Sequence, residues 1–382
     1  MAGAAHQGRV TDEAYEAQGL VYRLAGPEDE AELRGLLRGN PLAGWVALSL
    51  EREPDYFAPL LRGEEHETII CRDRDSGATV GMCARSVRPA YVDGAVRPLG
   101  YLGELRVAPA YRNRLKVVRN GFAAVKALLH EPQRTPYYVT SIVSDNRPAR
   151  RLLEAGLPGL PVYRPYAEMT TLALGTATGR RAQHVERGGA DDLRAIAACL
   201  ARNHRRRQFA AVWTERDLAR AASCGGPGPE DFLVLRRGGG IAGCLALWDQ
   251  SSQRQVVVRG YDPRLRRVRS LVNLLTPLTG LPYLPKVGEP LRQVYLSHAA
   301  VDDDDPQVLV RLVAAALQEA RRRGSTLALL GMARRDPMFA AVSAAFRARR
   351  YDNQLYLVHW PEGAAAAESL DDRLPHLEIG LL

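Results

Sequence analysis

The feature that most constrains this chain is an order of strands and helices that begins again near its middle. In the first half, β-branched and aromatic runs alternate with segments of helical apolar spacing, which predicts the order β-α-α-β-β-β-α-β-α-β. The second half then shows a helix, a hairpin, a strand, a long amphipathic helix, a strand, a helix and a strand. This return of one order with a period near half the length indicates a duplicated α/β fold.

The predicted elements can be placed by residue number. In the first half we expect strands at 21–24, 68–71, 79–87, 99–107, 137–143 and 166–174, and helices at 27–37, 113–130 and 146–155, with helical and loop sequence over 40–61. In the second half we expect strands at 232–235, 241–248, 293–301, 326–331 and 354–360, and helices at 190–203, 306–323 and 337–347.

The same pattern suggests domain boundaries. We expect a flexible leader at 1–19, a first domain at 20–174, a Gly/Thr/Ala-rich linker at 175–181, a second domain at 182–360 and a loosely held C-terminal tail at 361–382. The length of 382 residues is enough for two domains of ordinary size.

Composition narrows the class of protein. No apolar run is long enough to cross a bilayer and the leader lacks a signal-peptide core, so we expect a cytoplasmic protein that does not bind membranes. The five cysteines include no CxxC, and the eight histidines include no HxxxH or HxH, so neither a disulfide framework nor a metal site is expected. The net charge is +9, but only three of the 52 basic residues are lysines, which indicates a compositional bias rather than nucleic-acid binding.

The stretch 99–131 carries most of the chemical information. It reads as a strand, a break at Pro109, and then a helix whose first turn is rich in positive charge. The free amides of a helix N-terminus, together with Arg112, Arg114 and Lys116, would form an anion site suited to a pyrophosphate. Solvated basic residues in a first helical turn would give the same pattern.

Two motifs resemble the GNAT acyltransferase superfamily. Val107, Pro109, Tyr111 and Arg112 match its V-x-P-x-Y-R motif between strand and helix. The second motif, Asn-x-x-Ala-x-x-Leu before a glycine, is matched by Asn146, Ala149, Leu152 and Gly156. The resemblance covers residues 20–174, whereas the second half resembles the family in element order alone. It implies two GNAT-like folds in tandem, each a mostly antiparallel mixed sheet flanked by helices.

The chain departs from the family pattern at two points. Leu115 and Val117 stand where the pyrophosphate loop usually has small residues, which let a phosphate approach the backbone closely. In one interpretation Leu115 only starts the buried helix face and no phosphate binds; in the other it points into the core while the amides of 113–117 still face outward. Leu153 stands where many relatives place a tyrosine that protonates the leaving thiolate. That role could be absent, filled by water, or taken by Tyr163 or Tyr166, each of which could instead be a packing residue.

The resemblance also implies a set of site residues. Glu104, near the centre of the fourth strand, is the candidate base that deprotonates an amine, with a pKa raised by burial; its alternative is an ion pair with Arg106 or another arginine. Backbone amides near Leu105 and Val107 would polarise the thioester oxygen. Tyr163 is the candidate acid. The predicted acyl-coenzyme A contacts are Leu105, Arg106, Val107, Arg112, Asn113, Arg114, Leu115, Lys116, Val117, Asn146 and Arg150.

Other segments yield weaker expectations. The acceptor pocket should involve the 40–61 segment, with Trp45, Tyr56 and Phe57, and the region around 163–168. Asp145 and Glu168 could hold a cationic acceptor. The run of arginines within 202–207 is typical of a solvated helix end. Four acids at 302–305 stand where the first half has its basic turn, and we expect them to cap a helix and to prevent coenzyme A binding there.

The resemblance implies an N-acyltransferase that uses acetyl-coenzyme A without a metal. Its acceptor would be a small-molecule or peptide amine that attacks the thioester directly. The first domain would bind donor and acceptor, and the second would shape or cover the acceptor site. Two alternatives stay open: a non-catalytic module that binds RNA or a protein, and a transferase that uses aminoacyl-tRNA.

Overall fold

One mixed sheet of fifteen strands runs through both halves of the chain. The structure is a computed structural model that describes residues 9–10, 14–42, 44–58, 65–177, 183–279 and 283–382. Neighbouring strands are mostly antiparallel, as expected, and the parallel pairs are one in each half. The predicted mixed sheet flanked by helices is therefore confirmed.

The strands follow one another along the chain in this order: β1 (Arg9–Val10), β2 (Ala14–Ala17), β3 (Leu20–Leu24), β4 (Val46–Glu51), β5 (Glu65–Asp73), β6 (Thr79–Val92), β7 (Ala95–Val107), β8 (Tyr138–Val143), β9 (Val162–Gly175), β10 (Val185–Arg187), β11 (Ala210–Ala211), β12 (Phe232–Arg237), β13 (Gly240–Trp248), β14 (Gln255–Tyr261), β15 (Gln293–Val301), β16 (Leu327–Ala333) and β17 (Ala348–His359).

The α-helices of the described residues are α1 (Glu30–Arg38), α2 (Leu115–Leu129), α3 (Arg147–Leu153), α4 (Leu193–His204), α5 (Glu215–Ala221), α6 (Pro263–Thr279), α7 (Pro306–Arg322), α8 (Pro337–Ala345) and α9 (Ala364–Glu368). Short 3-10 turns at Pro109–Tyr111 and Asp302–Asp304 precede α2 and α7. No helix in this part of the chain is long and apolar enough to span a membrane.

The two halves exchange their last strands. Strand β17, from the end of the second half, lies between β8 and β9 of the first half and is antiparallel to both. Strand β9 in turn pairs with β16, so it joins the first half to the second. Because each half completes its sheet with the other's strand, the sheet is continuous across the middle of the molecule.

A second connection between the halves corrects one prediction. The segment 40–61 was expected to be helical with loops, but β4 lies within it and pairs with β14 of the second half in a separate two-stranded sheet. The alternation of Val46, Leu48 and Leu50 with other residues explains the strand, because side chains two apart share a face. Residues 59–61 of the predicted segment lie outside the described residues.

Both ends of the chain differ from the prediction. Within the expected leader, β2 pairs with β3. The expected tail is not loosely held, since Leu377, Glu378 and Leu381 are buried and residues 374–376 make backbone hydrogen bonds with Gln208. The apolar side chains of this end find a core in the second half. Residues 178–182, which hold most of the expected linker, lie outside the described part, and the domain boundaries stay a prediction.

Helix α2 packs as its apolar spacing predicts. Val117, Val118, Phe122 and Val125 are buried in one cluster with Leu102 of β7 and Tyr22 of β3. The Tyr22 hydroxyl donates to the carbonyl of Val117 at 2.9 Å, which fixes the first turn of the helix against the sheet. The helix start is thereby held at the end of β7.

Candidate functional site

A bulge in β7 sets the geometry of the site. Gly103 lies opposite Ala84 and Arg106 opposite Met82, so Glu104 and Leu105 together face the single residue Cys83 of β6. Glu104 has a φ of 53°, in the left-handed region that residues other than glycine seldom adopt. Such a bulge bends a strand and re-aims its side chains.

Just before the bulge, β7 and β8 separate. Their parallel pairing in the described residues covers Gly100 with Tyr138 and Tyr101 with Val139 and goes no further. The gap opens into a cavity of about 490 Å³ with mostly apolar walls. Both halves line it: Leu48, Leu102 and Val118 come from the first half, and Val256, Leu329 and Ile379 from the second.

Glu104 points into this cavity with its carboxylate held on both oxygens. Arg52, which is buried, lies 2.9 Å from its Oε1, and the Tyr56 hydroxyl donates to its Oε2 at 2.8 Å. Arg52 also donates to the Tyr56 carbonyl at 2.8 Å and lies over the Tyr56 ring. The ion-pair alternative for Glu104 is therefore present, with Arg52 as the partner.

The pKa of Glu104 is lowered, not raised as the sequence suggested. Burial by itself raises it, but the positive charge of Arg52 and the hydrogen bond from Tyr56 outweigh burial. Glu104 is therefore ionised at neutral pH. Nearby, burial lowers the pKa of His66 to about 4, and its Nδ1 lies 2.8 Å from the Ser86 hydroxyl.

The predicted contacts divide into two groups. One group lines the cavity and consists of Glu104, Leu105, Arg106, Val107, Val117, Asn146 and Tyr163. Asn146 is the N-cap of α3 and accepts from the Ala149 amide. Tyr163 is buried between the rings of Phe122 and Tyr356, and burial raises its pKa strongly.

The other group surrounds the start of α2. Arg112 donates to Asn40 Oδ1 at 2.8 Å, Arg114 lies over the Tyr111 ring, and Lys116 donates to the Gln18 carbonyl at 3.1 Å. Three amides there, those of Asn113, Leu115 and Lys116, have no acceptor in the described chain. Val117 is buried while Leu115 is half-buried, so these amides stay available beside three cations.

Arg150 lies apart from both groups. It donates to the Tyr356 hydroxyl at 2.9 Å and to Glu154 at 3.1 Å, so it is engaged with β17. Tyr356 comes from the exchanged strand β17, and no feature of the sequence predicted that it would lie here.

Some of the residues predicted for the acceptor pocket lie at this cavity and others do not. Leu42, Leu48 and Leu50 line the cavity, and Tyr56 is buried against Glu104. Trp45, in contrast, is 64% exposed, and Asp145 and Glu168 lie outside the cavity wall. Sequence reasoning missed Arg52, His66 and Arg254, which also face this site.

The arginine run and the acid run neutralise each other. Arg202 binds Asp302 at 2.8 Å, and Arg206 and Arg207 bind Asp304 at 3.2 and 2.6 Å. The expected solvated helix end is thus an ion-pair network between the end of α4 and the start of α7. These three arginines are therefore engaged within the protein. No group of three His, Cys, Asp or Glu residues in the described chain is arranged for a metal.

Comparisons with known proteins bear on the fold. No family model matches the chain, and no curated protein matches its sequence. Saccharomyces cerevisiae N-myristoyltransferase with bound myristoyl-CoA is similar over 91% of this chain and 85% of that one, at 11% identity and a TM-score of 0.59. A GCN5-related N-acetyltransferase from Sphaerobacter thermophilus is similar over 95% and 98%, at 12% identity and 0.50.

A third similar structure is the glucosamine N-acetyltransferase region of a fungal multi-domain GH3 β-N-acetylglucosaminidase. It covers 89% of this chain and 38% of that one, at 14% identity and a TM-score of 0.54. At such identities the likeness concerns the fold. The chain has the GNAT fold in its tandem, N-myristoyltransferase-like form.

Proposed function

We propose that this chain, with its tandem GNAT fold, transfers an acyl group from a coenzyme A thioester to an amine. The observation that carries the proposal is the opening between β7 and β8. At one place it combines a bulged strand, an ionised carboxylate at the bulge and a cavity large enough for two reactants. A helix start with free amides and three cations lies at the end of the same strand.

In this proposal Glu104 receives the proton of the attacking amine. The amine nitrogen bonds to the thioester carbonyl carbon, the carbonyl oxygen takes the negative charge, and the amides near Leu105 and Val107 stabilise it. When the carbonyl re-forms, the bond to sulfur breaks and the thiolate leaves. Tyr163 is the proposed proton donor to that thiolate, since it lines the cavity and stays protonated.

The lowered pKa of Glu104 defines its part in this step. An ionised carboxylate can hold the ammonium form of the acceptor in place and accept its proton, directly or through a water. Because Arg52 and Tyr56 favour the charged form, the proton then passes on easily to solvent. Arg52 and Tyr56 are positioning residues in this scheme.

The donor would lie along the opening, with its pyrophosphate at the start of α2. The amides of Asn113, Leu115 and Lys116 and the charges of Arg112 and Arg114 would bind the phosphates. Asn146, at the other side of the opening, would contact the pantetheine arm. Acetyl-coenzyme A is the proposed donor. A myristoyl thioester is the natural comparison, because one similar structure holds myristoyl-CoA.

The acceptor would enter under the two-stranded sheet of β4 and β14. The second half supplies Arg254, Val256 and Leu291 to the cavity wall, which supports a covering role for that half. A small-molecule or peptide amine is the proposed acceptor class.

The direct test is calorimetric titration of the full chain with coenzyme A, followed by thiol release from acetyl- and myristoyl-coenzyme A in the presence of mixed amines. We expect micromolar binding and amine-dependent thiol release. Binding of tRNA without binding of coenzyme A would favour the non-catalytic alternative and overturn the proposal.

A further inference from the structure

Two arginines face the cavity without a carboxylate partner. Arg106 follows the β7 bulge, and Arg254 directly precedes β14. Arg106 donates to the Leu105 carbonyl at 3.0 Å through Nη1, while its buried Nε has no acceptor. The Arg254 guanidinium has neither a hydrogen bond nor an ion pair with any described residue. A buried donor such as the Arg106 Nε is costly to leave unmatched, whereas Arg254 is half-buried.

The charged side chains around the cavity include more bases than acids. Glu104 is the single acidic side chain among the described residues that line it, and Arg52 already neutralises that carboxylate. His66 is neutral at neutral pH, since its pKa is about 4. The Arg106 and Arg254 side chains therefore bring positive charge to the cavity wall that no described acidic side chain pairs, which favours a ligand that carries a carboxylate.

The position of these cations separates them from the donor's phosphates. Leu102 packs with Val118 and Phe122 on the α2 side of the sheet. Tyr56, which binds Glu104, packs with Leu33 and Leu37 of α1, so the carboxylate lies toward the other side.

Arg254 lies on that same side. It reaches the cavity from the residue just before β14, the strand that pairs with β4. Its charge helps to lower the pKa of Glu104. The start of α2 has its own cations for the pyrophosphate, so Arg254 is left for the acceptor.

We propose that the acceptor amine also carries a carboxylate, which Arg254 and Arg106 bind while Glu104 holds the amino group. The substrate class is then amino acids rather than simple amines or polyamines. A guanidinium offers paired donors that match a carboxylate, and the short span between the two groups of an amino acid suits one cavity. An amine without a carboxylate would leave both arginines unmatched and would be rejected. The inference rests on the proposed acyl transfer.

The test uses product analogues, so that it does not depend on turnover. N-acetylphenylalanine is compared with N-acetylphenethylamine, and N-acetylleucine with N-acetylisoamylamine, by calorimetry on the full chain with saturating coenzyme A. We expect the member with the carboxylate to bind about 10-fold tighter or more. Arg254→Met should abolish that preference and Arg254→Lys should keep part of it. Arg267→Met removes the same charge from an exposed position on α6 and should change nothing.

Three outcomes with the product analogues would overturn the inference. They are equal binding of the two members of each pair, binding of neither member up to about 10 mM, and a preference that survives Arg254→Met. Weaker coenzyme A binding in Arg254→Met would assign this arginine to the donor and would also overturn it. In each case, amine-dependent thiol release measured separately would leave the proposed acyl transfer standing, and its absence would count against the transfer itself.

Discussion

The two halves of the chain contain the same kind of β-bulge, but the residue at the bulge and its surroundings differ. In β7, Glu104 has a φ of 53° and the register shifts opposite Cys83; in β15, His298 has a φ of 53° and the register shifts opposite Leu245. In both halves the parallel pairing to the next strand ends just before the bulge. The two halves thus share a strained backbone feature at which the side chains differ.

The two halves differ in what packs against each bulge. Glu104 projects into an open cavity of about 490 Å³. The His298 amide instead donates to Glu378 of the chain's last segment at 2.6 Å, and its ring is buried against Trp213. Ile379 packs over Gly331 of β16, and the remaining cavity there is about 40 Å³. The second opening is filled by the protein itself.

The first turns of α2 and α7 differ in the same way as the two bulges: one is open and the other makes contacts within the protein. At the start of α2, three amides and three cations face outward. At α7, Asp305 accepts from the Gln307 amide at 2.9 Å, and Asp302 and Asp304 bind arginines of the α4 end. In the first half, the amides and cations of this helix start are available to a ligand. In the second half, the groups at the equivalent helix start make contacts within the protein.

The largest expected effect comes from the bulge of the first half. Glu104→Gln removes the carboxylate and keeps the shape, so the transfer rate at neutral pH should fall about 100-fold or more with little change in coenzyme A affinity. Steady-state kinetics and calorimetry measure the two quantities. Glu368→Gln, at an exposed position, is the matched control. A rate loss of less than about threefold would show that another group or bulk water accepts the proton.

A smaller effect is expected at the α2 start. Arg112→Ala with Arg114→Ala should weaken coenzyme A binding more than about 10-fold, because charge-assisted contacts of this kind contribute roughly 1.5–3 kcal/mol each. Both side chains are exposed, so the Tm should stay near that of the wild type. The double variant Arg216→Ala, Arg220→Ala removes equal charge from exposed positions of α5 and should bind normally. Unchanged affinity in the first double variant would remove the phosphate site from the proposal.

Glu104 and Glu378, the carboxyl groups beside the two bulges, should affect stability differently as the pH changes, because the pKa of Glu104 is lowered and that of Glu378 is raised. Burial raises the pKa of Glu378 to about 7, so the folded state holds its proton more tightly than the unfolded state, whose pKa is about 4.5. Stability from this group is present below about pH 4.5 and is lost as the pH rises to about 7. Relative to Glu378→Gln, the wild type should lose on the order of 3 kcal/mol of unfolding free energy over that range. Urea unfolding at several pH values measures it, and parallel curves for the two proteins would contradict it.

The order of elements was predictable and their pairing across the halves was not. Periodicity located α2, α7 and most strands, because it depends on local burial. Nothing local in β17 distinguishes insertion beside β8 from pairing within its own half. The strand β4 was missed, although Val46, Leu48 and Leu50 alternate, because this short run lies inside a segment that was assigned to helix and loop as a whole.

The candidate site shows the same limit. Glu104 and the α2 start could be proposed because motif and charge lie within one stretch of sequence. Arg52 and Arg254 could not, since they come from distant segments of a chain in which arginine is common. The predicted direction of the Glu104 pKa shift was wrong for that reason. Burial was predictable, but the arginine whose charge outweighs burial was not. The alternation of Leu377, Ile379 and Leu381 was the signal that the C-terminal segment is buried.

The smallest expected effect is the one that tests the comparison most directly: the second half should bind no coenzyme A. Titration of the full chain should give one site per chain. Asp302→Asn with Asp304→Asn removes the acids that would repel a phosphate, yet it should not create a second site, because Glu378 still occupies the His298 amide and Ile379 still fills the opening. Calorimetry gives the stoichiometry for both proteins. A value of two in the wild type would show that the second opening is not closed, and a value of two in the double variant alone would show that charge, rather than the buried C-terminal segment, keeps the donor out.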